Sequence, residues 1–232
     1  MVWRDDFDGP QRGRPDLSKW VYDTGHGNSL WGNNEWQTYT SSAGNVRLDG
    51  QGHLFITARK EADGSYTSGR LKTKGKFAQR YGRFEARIKI PRGPGLLPAF
   101  WLMGDKGQWP ANGEIDVMEN VGDAPETVFS NVHAPGLAAS GTHQLSRELS
   151  EDFHVYGIEW SPGRIAWSLD GTIYRTLRKQ EVPAGAQWVF DDQPFYMLLN
   201  VAVGGDWPGN PIASVLPQDM VIDWVQASSY TP

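Results

Sequence analysis

Phe153-His154-Val155-Tyr156-Gly157-Ile158-Glu159-Trp160-Ser161-Pro162-Gly163-Arg164-Ile165-Ala166-Trp167-Ser168-Leu169-Asp170-Gly171 is the stretch that decides the fold. The run from Phe153 to Trp160 halts at Ser161-Pro162-Gly163, and Ile165, Trp167 and Leu169 then alternate with smaller or more polar residues. Asp170-Gly171 is a dipeptide favoured in two-residue hairpin turns, where both positions take positive φ. The stretch therefore predicts three successive antiparallel strands. Arg83 to Ile90 has the same period of two, with Phe84, Ala86, Ile88 and Ile90 on one face and Arg83, Glu85, Arg87 and Lys89 on the other, the pattern of a half-buried strand. Leu54 to Ala58, Ala99 to Met103, Glu114 to Asn120, Val128 to His133, Phe195 to Val203 and Met220 to Ala227 are further candidates. Convincing amphipathic helices are scarce, and 27 Gly and 15 Pro scattered along the chain cut it into short segments. No internal repeat or low-complexity segment is evident. Many short strands with frequent turns argue for an all-β fold, a two-sheet antiparallel β-sandwich or jelly roll.

At 232 residues, 39% hydrophobic and 21% charged, the chain suits one globular domain spanning 1–232. A formal charge of −5 without a Lys/Arg-rich run argues against a nucleic-acid or anionic-membrane partner. No apolar stretch approaches the roughly 20 residues of a membrane span, and the opening Met1-Val2-Trp3-Arg4-Asp5-Asp6 lacks a signal-peptide apolar region. The absence of Cys excludes disulfides, Cys-ligated zinc, iron–sulfur clusters and a thiol nucleophile. The 11 Trp can fill a core or offer flat platforms to sugar rings. Trp160, Trp167 and Trp224, on alternating strand positions, are assigned to the core.

Trp109-Pro110-Ala111-Asn112-Gly113-Glu114-Ile115-Asp116-Val117-Met118-Glu119-Asn120 sets three carboxylates among apolar residues. In a regular strand Glu114 and Asp116 share a face, while Glu119 falls out of phase unless one residue is extra. A β-bulge at or near Val117–Met118 restores the phase, and bulges are enriched beside active sites. Counting the bulged pair as one position sets the Glu α-carbons roughly 13 Å apart at about 3.3 Å per residue. Glutamates leaning together over a concave sheet can bring their carboxyls to the roughly 5–5.5 Å of a retaining glycosidase. Asp116 between them can hydrogen-bond one Glu and, by repulsion, raise a neighbour's pKa. A solvated acidic edge or a hard-metal site is the alternative that the spacing alone leaves open. Trp101 and Trp109 flank the triad in sequence, where indoles can serve as platforms for sugar rings, Trp101 with core packing as its competing role.

The heptapeptide Gly113-Glu114-Ile115-Asp116-Val117-Met118-Glu119 resembles the signature of glycoside hydrolase family 16, in the bulged form of its laminarinase branch. Gly32-Asn33-Asn34-Glu35-Trp36-Gln37, Tyr81-Gly82-Arg83-Phe84-Glu85-Ala86-Arg87, Pro98-Ala99-Phe100-Trp101, Phe153 to Trp160 and Asn200 to Gly209 are similar to further blocks of bacterial endo-β-1,3-glucanases, so the resemblance covers nearly the whole chain. It implies a concanavalin A-like jelly roll with a concave substrate cleft, and retaining endo-hydrolysis of β-1,3-glucosidic bonds in β-glucans such as laminarin. By position, Glu114 would be the nucleophile, Glu119 the acid and then base, Asp116 their tuner, and His133 an assistant near the nucleophile or the sugar. The resemblance favours substrate contact for Trp101 and Trp109 and adds Asn34, Glu35, Arg83, Asn200 and Trp207 as candidates. For Arg83 and Glu35 a surface or cleft-lining ion pair is the competing role.

A structural Ca²⁺ on the convex side is also implied, held by the carbonyls of Asp6 and Gly52 and the carboxylate of Asp223; all-oxygen ligation suits that ion. No catalytic cofactor is implied. The rivals are cleavage of another β-glycan, either mixed-linkage glucan or a galactan, and a non-catalytic β-glucan-binding lectin on the same fold. The lectin reading is disfavoured because all three acids are kept. The expected partner is the polysaccharide, acted on by a secreted monomer, with secretion inferred from the substrate.

Overall fold

The computed structural model describes residues 1–230. In chain order the strands are β1 (Trp3–Asp5), β2 (Val21–Tyr22), β3 (Gln37–Tyr39), β4 (Val46–Leu48), β5 (Leu54–Lys60) and β6 (Tyr66–Ser68). They continue with β7 (Arg70–Lys72), β8 (Gly82–Lys89), β9 (Leu96–Gly104), β10 (Glu114–Glu119), β11 (Thr127–Ala134) and β12 (Leu137–Gln144). The last five are β13 (His154–Ser161), β14 (Arg164–Leu169), β15 (Thr172–Arg178), β16 (Phe195–Val203) and β17 (Gln218–Ser228). Helical structure among the described residues is confined to short 3₁₀ turns.

Two sheets form, as the alternation predicts. One runs β15-β14-β13-β8-β17-β5-β6-β3, with β1 added to β17 and β4 to β5; the other runs β12-β11-β10-β9-β16-β7-β2. The pairings are antiparallel except for β3 with β6. The deciding stretch folds as read: Trp160 lies opposite Ile165, and Leu169 opposite Thr172. Asp170 and Gly171 turn between them with φ of 50° and 81°, the left-handed pair that matches the twist of a two-residue hairpin. In β8, Phe84, Ala86 and Ile88 are fully buried while Arg83 and Arg87 face outward.

The inward faces of the two sheets meet in one apolar core. Ile115, Val117, Met118, Val128 and Val132 of the seven-stranded sheet pack there with Phe84, Ile88, Ile158, Trp160, Ile165 and Trp167 of the other. Burying side chains of this size stabilises by about 1.5–3 kcal/mol each, which is what holds the sheets face to face. Two of the three Trp assigned to the core are there; Trp224 is not. β17 slips register against β8 between Ile222, opposite Ile88, and Trp224, opposite Arg87. The extra residue turns Trp224 outward, half-buried beneath the Arg4 guanidinium, 5.0 Å from the ring centre.

Candidate active site

β10 lies between β9 and β11, and its register explains how three acids come to one face. Glu114 is opposite Met103 and His133, Asp116 opposite Trp101 and Asn131, and Glu119 opposite Ala99 and Phe129. Against β9, Asp116 pairs with Trp101 and Met118 with the very next residue, Phe100, so Val117 has no partner. This is the bulge the spacing calls for. Val117 and Met118 both enter the core, and Glu119 returns to the face of Glu114 and Asp116. Ile115 and Met118 are buried anchors on either side of the bulge, so the carboxylates sit on a strand that packing holds rigid.

The site is crowded with negative charge and poor in water. Side-chain exposure is 18% for Glu114 and 3% for Asp116. Burial, and then Asp116 beside it, push the Glu114 carboxyl up to about 8, while His133 and Arg70 pull it the other way. Burial also raises Asp116, with Glu119 adding to it and Arg175 opposing. Glu119 is raised by burial and by Glu114, against a hydrogen bond from Asn131. Carboxyls this close in a low-dielectric site cannot all ionise, so they share protons unequally. His133 Nε2 stands 3.5 Å from Asp116 Oδ2 and 4.0 Å from Glu114 Oε1. The ligand-type atoms of Glu114, Asp116 and His133 lie within 4.8 Å of one another, close enough to accept a small cation, so geometry alone leaves that alternative standing.

Around the triad the predicted residues separate. Trp109 is 58% exposed with its ring 6.2 Å from that of His133, an open indole beside the acids. Trp207, 43% exposed, meets Phe129 edge-on at 5.0 Å, and Phe129 is the cross-strand neighbour of Glu119. Trp101 is only 8% exposed, yet it belongs to a cluster with Ala99, Tyr196 and Leu198 distinct from the main core. Its Nε1 donates to Asn200 Oδ1 at 2.8 Å. Asn200 Nδ2 donates to the Tyr39 hydroxyl, and that hydroxyl donates to Glu35 Oε2, each at 3.2 Å. Trp101, Asn200 and Glu35 thus form one buried polar chain that braces the floor, which leaves Asn200 little capacity to bond a sugar. Glu35 is raised by burial; its partners are Gln37 and Tyr39, a hydrogen-bonded setting in place of the anticipated ion pair. Asn34 donates to both Asp206 oxygens, at 3.0 and 2.9 Å, and ties the loop before Glu35 to the loop of Trp207.

Arg83 is a correction. It lies on β8 of the ten-stranded sheet, opposite Glu159 and Ser228, and its guanidinium bonds Glu85 at 2.9 Å. The alternation that buries Phe84 aims Arg83 at the outside of the other sheet, where it lines a hollow with Glu159, Arg164 and Tyr230. The surface ion pair was the competing role, and it is the one the strand imposes.

Several residues of the site escaped the sequence reading. Arg70, opposite Asn200, has its guanidinium 4.4 Å from the Trp31 ring centre and 4.8 Å from that of Trp101, and it bonds Asp23 at 3.1 Å. The alternation of Arg70 and Lys72 about buried Leu71 was a usable signal for it. Asn131, the donor to Glu119, follows from the β10–β11 pairing and could not be placed without it. Trp36 is exposed at the rim and lies across Gly204, whose φ is 67° and where a Cβ would stand 2.6 Å from the indole.

In the loops after β1 and before β5, Asp6 and Gly52 are neighbours: a Cβ at Gly52 would meet the Asp6 carbonyl oxygen at 3.6 Å. Asp223 is the extra residue of the β17 slip, and its carboxylate accepts a hydrogen bond from Arg87. Two carbonyls and a carboxylate are the donor type a hard cation takes, and the Asp223 carboxylate is engaged by Arg87.

The sequence profile of Glycosyl hydrolases family 16 matches residues 33–226. The chain is 40% identical to a beta-glucanase of Rhodothermus marinus, over 97% of this chain and 84% of that protein. It is 34% identical to glucan endo-1,3-beta-glucosidase A1 of Niallia circulans, over 97% of this chain and 37% of that longer protein. The fold superimposes on the X-ray structure of an endo-beta-1,3-glucanase from Pyrococcus furiosus with a TM-score of 0.91 at 40% identity, covering 100% of this chain and 94% of the other.

Proposed function

Because the chain belongs to glycosyl hydrolase family 16, we propose that it is a retaining endo-hydrolase of internal β-1,3-glucosidic bonds in β-glucans such as laminarin, acting through Glu114 and Glu119. The observation that carries this reading is the bulge at Val117, which sets Glu114, Asp116 and Glu119 on one face beside the open indole of Trp109. The beta-glucanase and endo-1,3-beta-glucanase relatives support the substrate class.

Glu114 attacks the anomeric carbon as a carboxylate. Glu114 and Asp116 share one proton in the resting site, and in the reacting form that proton rests on Asp116, the most buried of the three, so that Glu114 attacks ionised. Glu119, held neutral by burial, gives its proton to the departing glycosidic oxygen, then takes one from the water that cleaves the glycosyl-enzyme. His133 donates toward the Glu114–Asp116 pair and keeps it oriented. Trp109 and Trp207 offer apolar faces to glucosyl rings on the rim, while Trp101, Asn200 and Glu35 stiffen the floor. All of these groups come from one chain, so a monomer suffices.

A Ca²⁺ held by Asp6, Gly52 and Asp223 is part of the same reading; it would brace the outer sheet and supply no step of the reaction. A chelator should lower the melting temperature at unchanged initial rate, by mass-action linkage. An unmoved melting curve with no calcium by elemental analysis would remove the ion. No helix among the described residues is long and apolar enough to cross a membrane, and a polymeric substrate favours action outside the cell.

Stereochemistry tests the reaction. Two successive inversions at the anomeric carbon release the β-anomer first, visible by proton NMR of the reducing end in the first minutes of laminarin cleavage. An initial α-anomer would mean inversion and would overturn Glu114 as nucleophile.

A further inference from the structure

Behind the triad lies a half-buried cation that the mechanism has not used. Arg175 is on β15, the edge strand of the ten-stranded sheet, opposite Trp167 of β14. Its side chain crosses the gap to the back of the other sheet. Nη1 donates to the Ser130 carbonyl and, at 3.0 Å, to Ser130 Oγ, and Nη2 donates to the Ala139 carbonyl at 3.0 Å. The guanidinium carbon lies 4.4 Å from the centre of the Trp167 ring, and Trp167 Nε1 donates to the Asp116 carbonyl at 2.8 Å.

The place where Arg175 lands is specific. In the β10–β11 ladder Asp116 pairs with Asn131 and Glu119 with Phe129, so Ser130 stands across from the bulged Val117–Met118. A bulge interrupts ladder bonding and leaves the strand free to bend or slip. Arg175 and Trp167 grip the two strands on either side of that interruption, one at Ser130 and one at Asp116. Room for the grip is left by Gly141 on β12, where a Cβ would stand 2.5 Å from Arg175 Cδ and 2.7 Å from Nε. Removing a guanidinium from water is costly unless its donors are satisfied, and here they are met by carbonyls and a hydroxyl rather than by a carboxylate.

We propose that Arg175 is a positioning residue for the proposed hydrolysis, pinning the bulged segment of β10 from behind through Ser130 and Trp167 so that Glu119 and Asp116 keep their placement relative to Glu114. This rests on the assignment of the three acids as the catalytic group. The same cation gives the proposal a second readout: its field opposes the rise of Asp116, and so limits how firmly Asp116 holds the proton it shares with Glu114, against the repulsion of Glu119 on the same strand and alongside His133 on β11. A small displacement of reacting groups is enough to cost about 10²-fold in rate.

Three variants test it, each assayed as purified folded protein on laminarin from pH 4 to 9. Arg175→Met is expected to lose about 10²-fold in kcat with KM within threefold, and its pH profile moves. Arg175→Lys recovers part of the loss. Gly141→Ala, which touches neither substrate nor acid but fills the space Arg175 crosses, loses activity in the same sense and keeps the test open should Arg175→Met not fold. Carbon-13 NMR titration of the carboxyls provides a readout independent of turnover: Asp116 titrates higher in Arg175→Met and Gly141→Ala than in the wild type. If Glu114→Gln remains active, the assignment of the triad falls, and the carboxyl titration still decides the role of Arg175. Unchanged kcat per folded molecule, a superimposable pH profile and an unmoved Asp116 titration, whatever the change in melting temperature, would reduce Arg175 to a structural strut and overturn the proposal.

Discussion

Two of the bulged strands of this protein, β10 and β17, put the same device to opposite uses. In β10 the slip falls at Val117, and because both Val117 and Met118 are apolar, the core absorbs them. The strand keeps its burial and gains a face with three acids. In β17 the slip falls at Asp223, and the residues around it are charged or aromatic, so the strand is turned outward: Trp224 lies under Arg4 and Asp223 against Arg87. The chemistry of the extra residue decides whether a bulge re-aims a functional group or only reshapes a surface.

The largest test of that contrast is the loss of one acid from each bulge. Glu119→Gln should lower kcat by about 10²–10⁴-fold, the usual worth of general acid–base catalysis, with the circular dichroism spectrum unchanged. Asp223→Asn should leave kcat within about twofold, since surface ion pairs contribute little. Near-normal turnover by folded Glu119→Gln would remove Glu119 from the reaction, and a comparable loss in Asp223→Asn would erase the distinction between the two bulges.

The same contrast separates what is legible in the sequence from what is not. The β10 bulge was legible because Glu114, Asp116 and Glu119 fall out of phase in a way that a charged set among apolar neighbours makes conspicuous. The β17 bulge was not, because Ile222, Trp224 and Gln226 keep an apparently regular period of two, and only pairing with β8 reveals the slip. Arg83 was misplaced for a related reason: resemblance of a block says nothing about which sheet carries it, whereas its own alternation with Phe84 did point outward. Arg175 left no trace at all. Its strand reads as an exposed edge, and what makes the residue matter is Ser130, Gly141 and Trp167, three segments brought together by the sandwich.

A second test uses pH and concerns stability. Glu114 is held up to about 8, chiefly by burial, so the folded protein keeps a proton that the unfolded chain loses near 4.5. Between those values the native state binds more protons than the unfolded state, and stability falls as pH rises. Glu114→Gln, which has no proton to lose, should therefore gain on the wild type by roughly 2–4 kcal/mol in going from pH 4.5 to pH 8. Urea titrations at the two pH values measure it. A difference independent of pH would show that Glu114 titrates normally.

Trp109 and Trp224 extend the comparison to aromatic residues. Trp109→Ala should lower kcat/KM on long glucans by about 1–3 kcal/mol, the scale of burying a large apolar side chain against a partner, with little change in melting temperature because the indole is 58% exposed. A large fall in melting temperature with normal kinetics would instead make Trp109 a packing residue.

The smallest effect is expected at Trp224, and its size discriminates between the predicted and the observed position. A Trp in the core costs about 3–5 kcal/mol when cut to Ala, and that would be the outcome had β17 kept its register. Turned outward, Trp224 loses only its contact with the Arg4 guanidinium, worth about 0.5–1 kcal/mol at an exposed site, together with some packing of the half-buried ring. For a chain of this length each kcal/mol moves the melting temperature by about 2–4 °C, so Trp224→Ala should fall by a few degrees, with kcat/KM unaltered. The Trp160→Ala and Trp167→Ala variants, taken from fully buried rings, should fall several times further. If Trp224→Ala falls as far as those two, the slip between Ile222 and Trp224 is not present in solution, and the second bulge disappears from the comparison.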